Sequence, residues 1–283
     1  MNGSVRAPER QILARCRLAE ELIRRQLHGT GGWSHGGTQF ATEPTAWALL
    51  ALWSFPWASP ATELGLTALM AHQGSDGLWP AVGYGARANF WATAMAVNAL
   101  LILGAKPQTF AASVGALVHC CPLEASWLVR LKFRFSDRQV RFDPTKYGWS
   151  WVPDTVSWVV PTSMALITLQ RARRRGLVGG WELENRLRLG TEMLLDRACI
   201  GGGWNAGNAV VYGVRLRPHI DATAIRTGRT PIALSAYDSA QLLDLDPGLH
   251  SMPVRLQPGV AHPSRRQVPG SEVGCYASAD CST

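Results

Sequence analysis

The chain has 283 residues, 47% hydrophobic and 17% charged, with a formal net charge of +8. That apolar share is ample for a core, and the length allows one domain or two. The basic balance raises nucleic acid as a partner. The arginines, however, are scattered or gathered in linkers and beyond residue 210, so none is expected. Peripheral contact with an anionic lipid surface would serve the same charge. Cys16, Cys120, Cys121, Cys199, Cys275 and Cys281 show neither zinc-ribbon nor disulfide spacing, which predicts a reduced, cytoplasmic protein.

Residues 8–28 place Ile12, Cys16, Ala19, Ile23 and Leu27 at helical spacing, and no secretory leader is expected there. A Gly-Trp turn follows at Gly32-Trp33 and recurs at Gly77-Leu78-Trp79, Gly148-Trp149 and Gly203-Trp204. Each is followed by a threonine-led apolar segment, headed by Thr45, Thr93, Thr162 and Thr223. A recurrence every 50 to 70 residues or so suits a pair of helices with loops of variable length, and predicts a body built by stacking.

Nearly all-apolar inner helices are predicted over 43–54, 91–104 and 160–172. Amphipathic outer helices are predicted over 8–28, 61–72, somewhere within 108–134, and over 182–198. The threonines fall at helix starts, two with proline beside them, where proline is tolerated. The longest apolar stretch, 90–103, contains Asn98 and is short of the roughly 20 residues a bilayer span needs, so it is read as a buried helix.

Between Lys106 and Tyr147 the third unit is lengthened around Cys120-Cys121-Pro122, which predicts an extra helix over one rim. The fourth unit breaks after Ile225, where Arg226-Thr227-Gly228-Arg229 replaces the apolar ladder. Thr230-Pro231 starts a further candidate helix reaching Leu245, and beyond Pro247 the Pro, Arg and Ser content predicts disorder. Residues 226–283 read as a truncated or out-of-frame substitute for further repeats.

Gln73-Gly74-Ser75-Asp76-Gly77-Leu78-Trp79 fits the Gln-x-x-x-Gly-x-Trp motif of the squalene-hopene and oxidosqualene cyclases, and Gln26 to Trp33 is that motif lengthened by one residue. Over residues 8–225 the chain resembles the prenyltransferase and squalene-cyclase repeat superfamily. The resemblance implies an all-α fold, an α/α toroid. Here it would be an incomplete or open ring of about four helical hairpins over residues 1–248, regular to about 225, with 249–283 a disordered tail.

It also implies chemistry that can be tested by position. A cyclase protonates an alkene with Asp-x-Asp-Asp, which is absent; Asp244-Leu245-Asp246-Pro247 lacks the third carboxylate. A protein prenyltransferase holds zinc with Asp-x-Cys and a distant histidine. Asp196-Arg197-Ala198-Cys199 has one residue too many in the pair, with His219 beyond it, so no metal and no cofactor are expected.

The repeat register brings other residues forward. Glu43 and Asp221 stand two places before their threonines, where other units have Trp91 and Val160. With Asp154, fed from a loop, they are the candidate catalytic acids. An acid at a helix start also complements the macrodipole, and that reading stands beside a general acid whose pKa a tryptophan-lined cavity raises. Trp33, Trp79, Trp91, Trp149, Trp158, Trp204, Tyr212 and His219 are the candidate substrate-binding residues. The four corner tryptophans are equally read as wedges between helix pairs.

Three functions follow. One is a terpenoid-cyclase- or prenyltransferase-like enzyme acting on an isoprenoid or similar apolar molecule. The second is a non-catalytic toroid that binds a lipid or peptide, and the third is a truncated, inactive paralogue.

Overall fold

Inner helices form where small and large apolar residues alternate without a breaker, and outer ones where polar residues take one face. In the computed structural model, which describes residues 7–83, 87–136, 140–200 and 202–218, both kinds are found. The α-helices in chain order are α1 (Ala7–Arg24), α2 (Thr42–Leu52), α3 (Ser59–Ala71), α4 (Phe90–Ile102), α5 (Ala111–His119), α6 (Trp127–Ser136), α7 (Val159–Arg174) and α8 (Trp181–Asp196). All described residues fall within the compact unit Met1–Leu245.

The inner helices α2, α4 and α7 lie side by side with α4 in the middle. Every residue of α4 from Phe90 to Leu101 is buried, so neither face of it is a solvent face. Each inner helix is followed by an outer one that folds back on it: α3 on α2, α5 on α4 and α8 on α7, with α5 also touching α7 and α8. Thr168 Oγ1 donates to Ala94 O across the α4–α7 seam at 3.0 Å. At the ends of these helices Arg171 donates to Asn98 Oδ1 and Arg175 to Leu101 O. Arg173 pairs with Glu184 of α8 at 3.2 Å. Arg171, Arg173 and Arg175, at the end of α7, therefore bolt helices together.

Predicted and observed helices agree to within a few residues, with two refinements. The 108–134 segment holds two helices, α5 and α6, separated by a 3-10 turn at Leu123–Ala125, and α6 is the extra helix expected in the third unit. A small antiparallel sheet was not anticipated: β1 (Val140–Arg141), β2 (Val210–Val211) and β3 (Val214–Arg215), with Val140 opposite Val211 and Val211 opposite Val214. Two-residue strands are too short to leave an alternating pattern. The Thr230–Leu245 helix, the tail beyond Pro247, Thr223, His219 and Asp221 lie outside the described residues.

Candidate functional site

The recurring threonine does more than begin a helix. The residues before the inner helices are Ala41, Asn89 and Trp158, and only Asn89 caps with its side chain, accepting from Ala92 N at 2.8 Å. Thr45, Thr93 and Thr162 instead turn their hydroxyls back to the corner. Trp33 N, Trp79 N and Trp149 N each donate to the matching Oγ1 at 2.9 Å. All three threonines are fully buried, so each bond satisfies an amide that water cannot reach. The indole closes the other side. Trp33 Nε1 donates to Leu22 O, Trp79 Nε1 to Leu69 O, Trp149 Nε1 to Leu117 O and Trp204 Nε1 to Leu194 O, at 2.6 to 2.8 Å.

Glycine is needed where backbone and ring approach most closely. A Cβ on Gly148 would sit 2.2 Å from Thr162 Oγ1. On Gly65 and Gly190 of the following outer helices it would sit 2.5 and 2.6 Å from the Trp33 and Trp149 rings. Each of those corner rings is thus held between its own outer helix and the next.

The motif glutamine joins the same two units. Gln26 Nε2 donates to Gly31 O and to Ala61 O, and Gln73 Nε2 to Gly77 O and Ser113 Oγ. The third unit has no such glutamine. There Arg186 of α8 reaches Gly148 O at 2.9 Å and Cys120 O at 3.2 Å, and its guanidinium lies 4.0 Å over the Trp149 ring. Burial pushes the neighbouring Cys120 thiol up to about 11, with the Arg186 charge pulling the other way.

The inner helices present their first turns at loops from the following unit. Thr42 N donates to Ala81 O, Phe90 N to Trp151 O and Val159 N to Ala206 O, at 2.8 to 3.1 Å. Trp91 and Trp151 meet there with centroids 5.5 Å apart. Trp91 is buried and its Nε1 has no hydrogen-bond partner.

The candidate residues divide by place. Trp33, Trp79, Trp149 and Trp204 are at most 7% exposed, with their indole N–H groups spent on helix carbonyls, as the wedge reading requires. Trp158 is 36% exposed at the start of α7, against Gly207. Tyr212 is the first of the two turn residues between β2 and β3, at φ 50° and largely exposed. Glu43 stands half-buried in the first turn of α2, where the helix dipole favours an acid. Asp154, at φ 61°, lies on the surface and pairs with Arg87 at 3.1 Å. Among the described residues, no hydrogen bond or ion pair links Glu43 of α2 to Asp154, whose partner is Arg87.

A buried charge cluster escaped the sequence reading. Glu124, in the turn before α6, is fully buried and accepts from Ser157 N at 2.8 Å. Arg197, just past α8, donates to Ser157 O at 2.6 Å and lies 3.6 Å from Glu124 and 4.8 Å from the Phe142 ring. Burial lowers the Arg197 pKa, and Glu124 and Asp196 oppose that shift. Glu124 Oε2 has no hydrogen-bond partner. Neither residue belongs to a repeat motif, and Glu124 is one of three acids between Lys106 and Tyr147, with Asp137 and Asp143, so nothing in the sequence singles it out.

No three His, Cys, Asp or Glu side chains among the described residues are grouped to hold a metal ion. None of the described helices is long and apolar enough to cross a membrane. No protein family and no curated protein matches the chain.

Proposed function

We propose that the chain is a member of the prenyltransferase and squalene-cyclase repeat superfamily, built as an open α/α toroid, that binds an apolar isoprenoid-type molecule where the inner helices begin. The observation that carries this reading is the iteration of one bonding scheme through three successive units: corner amide to threonine, indole to outer helix, first inner-helix amide to the next loop. Such a scheme keeps helix starts in a common register, and a rim rich in tryptophan offers flat, polarisable faces to a hydrocarbon. Binding is preferred to turnover because Asp154 is spent in a surface ion pair. Glu43, with Asp221, remains the acid to test. A reduced, cytoplasmic setting is part of the proposal and rests on the cysteine spacing of the sequence.

The test is retention of squalene, farnesyl diphosphate and geranylgeranyl diphosphate by the purified chain, read by native mass spectrometry, with extracted lipids checked for product. Retention without conversion is expected. Trp158→Ala should weaken it about tenfold while leaving the melting temperature near that of the wild type, because the ring is partly exposed. Failure to retain any of the three, or retention indifferent to Trp158, overturns the proposal. A product that disappears in Glu43→Ala would replace binding by acid catalysis.

A further inference from the structure

Helix α6 reads Trp127-Leu-Val-Arg-Leu-Lys-Phe-Arg-Phe-Ser136. Four of its large apolar side chains stand in solvent: Trp127 is 67% exposed, Leu128 59%, Leu131 47% and Phe135 76%. At about 100° per residue these four span an arc of roughly 100°, a single stripe. The opposite side faces the protein. Phe133 packs edge-on against Phe142 with centroids 5.3 Å apart, and Arg130 donates to Ala125 O at 2.6 Å. The exposed stripe is therefore the outward face of a docked helix. Leu123, 41% exposed in the preceding turn, adds to the exposed apolar surface around it.

We infer that α6 is a membrane-docking helix, which lays Trp127, Leu128, Leu131 and Phe135 into the surface of an anionic bilayer. The inference stands on this stripe and its charge, independently of the isoprenoid reading. Three features favour lipid. Aromatic and aliphatic side chains on a basic helix are the pattern that settles at a bilayer interface. Exposed Lys132 flanks the stripe and the chain as a whole carries +8, both complementary to anionic headgroups. Ten residues, about 15 Å of helix, suit a helix lying in the plane of the interface and cannot span it.

The helix is also braced. It starts directly after the turn that holds Glu124, and Glu124 is tied to Ser157 and Arg197, so α6 is joined to the protein through buried contacts.

Flotation of the full chain with phosphatidylcholine vesicles, with and without phosphatidylglycerol, tests the inference. The wild type should float with the anionic vesicles and much less with the neutral ones. Replacing Trp127, Leu131 and Phe135 together by alanine should reduce flotation about a hundredfold without lowering the melting temperature, since all three are exposed. Lys132→Glu should reduce it about fivefold on anionic vesicles only. If the wild type does not float, or the triple variant floats equally well, the inference fails. It fails too if sedimentation shows a wild-type dimer that the triple variant loses, which would assign the stripe to a second copy of the chain.

Discussion

A hydroxyl that accepts a buried amide has no substitute in a side chain of the same shape without oxygen. Thr162→Val keeps the volume at Gly148 and Trp149 but leaves Trp149 N unpaired in a site closed to water. The expected cost is about 1–3 kcal/mol, measured as a shift in the urea midpoint, and Thr162→Ser should recover most of it. Recurrence makes the threonine conspicuous in the sequence, but points only to the start of a helix and not to a bond with the corner. The bond is invisible in one dimension because its partner lies 13 residues back across a turn. Arg186 was missed for a similar reason. It stands in for a motif glutamine from a different helix, 38 residues past the carbonyl it serves, and no spacing rule connects the two.

At the scale of elements, the apolar inner helices are the easiest to find, since stretches such as that of α4, apolar but for Thr93 and Asn98, fit burial on every side. The split between α5 and α6 was not legible: each is short, and the turn that separates them is fixed by Glu124 at a distance. Helix packing also makes two glycines of outer helices unequal. In α5 a methyl at Gly115 meets nothing within 4 Å, so Gly115→Ala should raise stability by about 0.5–1 kcal/mol through backbone entropy and helix propensity. In α8 a methyl at Gly190 meets the Trp149 ring at 2.6 Å, and Gly190→Ala should lower stability by about 1–3 kcal/mol. Equal effects of the two substitutions in thermal unfolding would remove the claim that α8 is pressed against the third corner.

For the whole molecule, the Glu124–Arg197 pair joins segments that are far apart in the chain: the turn before α6, the loop carrying Ser157 and the end of α8. Its net worth against an apolar filling is small, but removing one partner strands the other in a dry site. Glu124→Gln and Arg197→Met are therefore each expected to cost about 3–5 kcal/mol, and the double variant clearly less than their sum, in a double-mutant cycle by chemical denaturation. Kinship between units was legible from the sequence because it is written in repeated residues. This pair was not, because it occurs once.

At the helix starts one main-chain bond recurs between each unit and the next: Thr42 N to Ala81 O, Phe90 N to Trp151 O, Val159 N to Ala206 O. Side-chain contacts are added junction by junction, Thr42 Oγ1 to Pro80 O at one and Trp91 to Trp151 at another. The main-chain coupling is indifferent to the amino acids on either side of it. This recurring bond would survive the duplication, loss or enlargement of a hairpin whatever residues came with it, which is how a third member swollen by α6 still seats its neighbours in step.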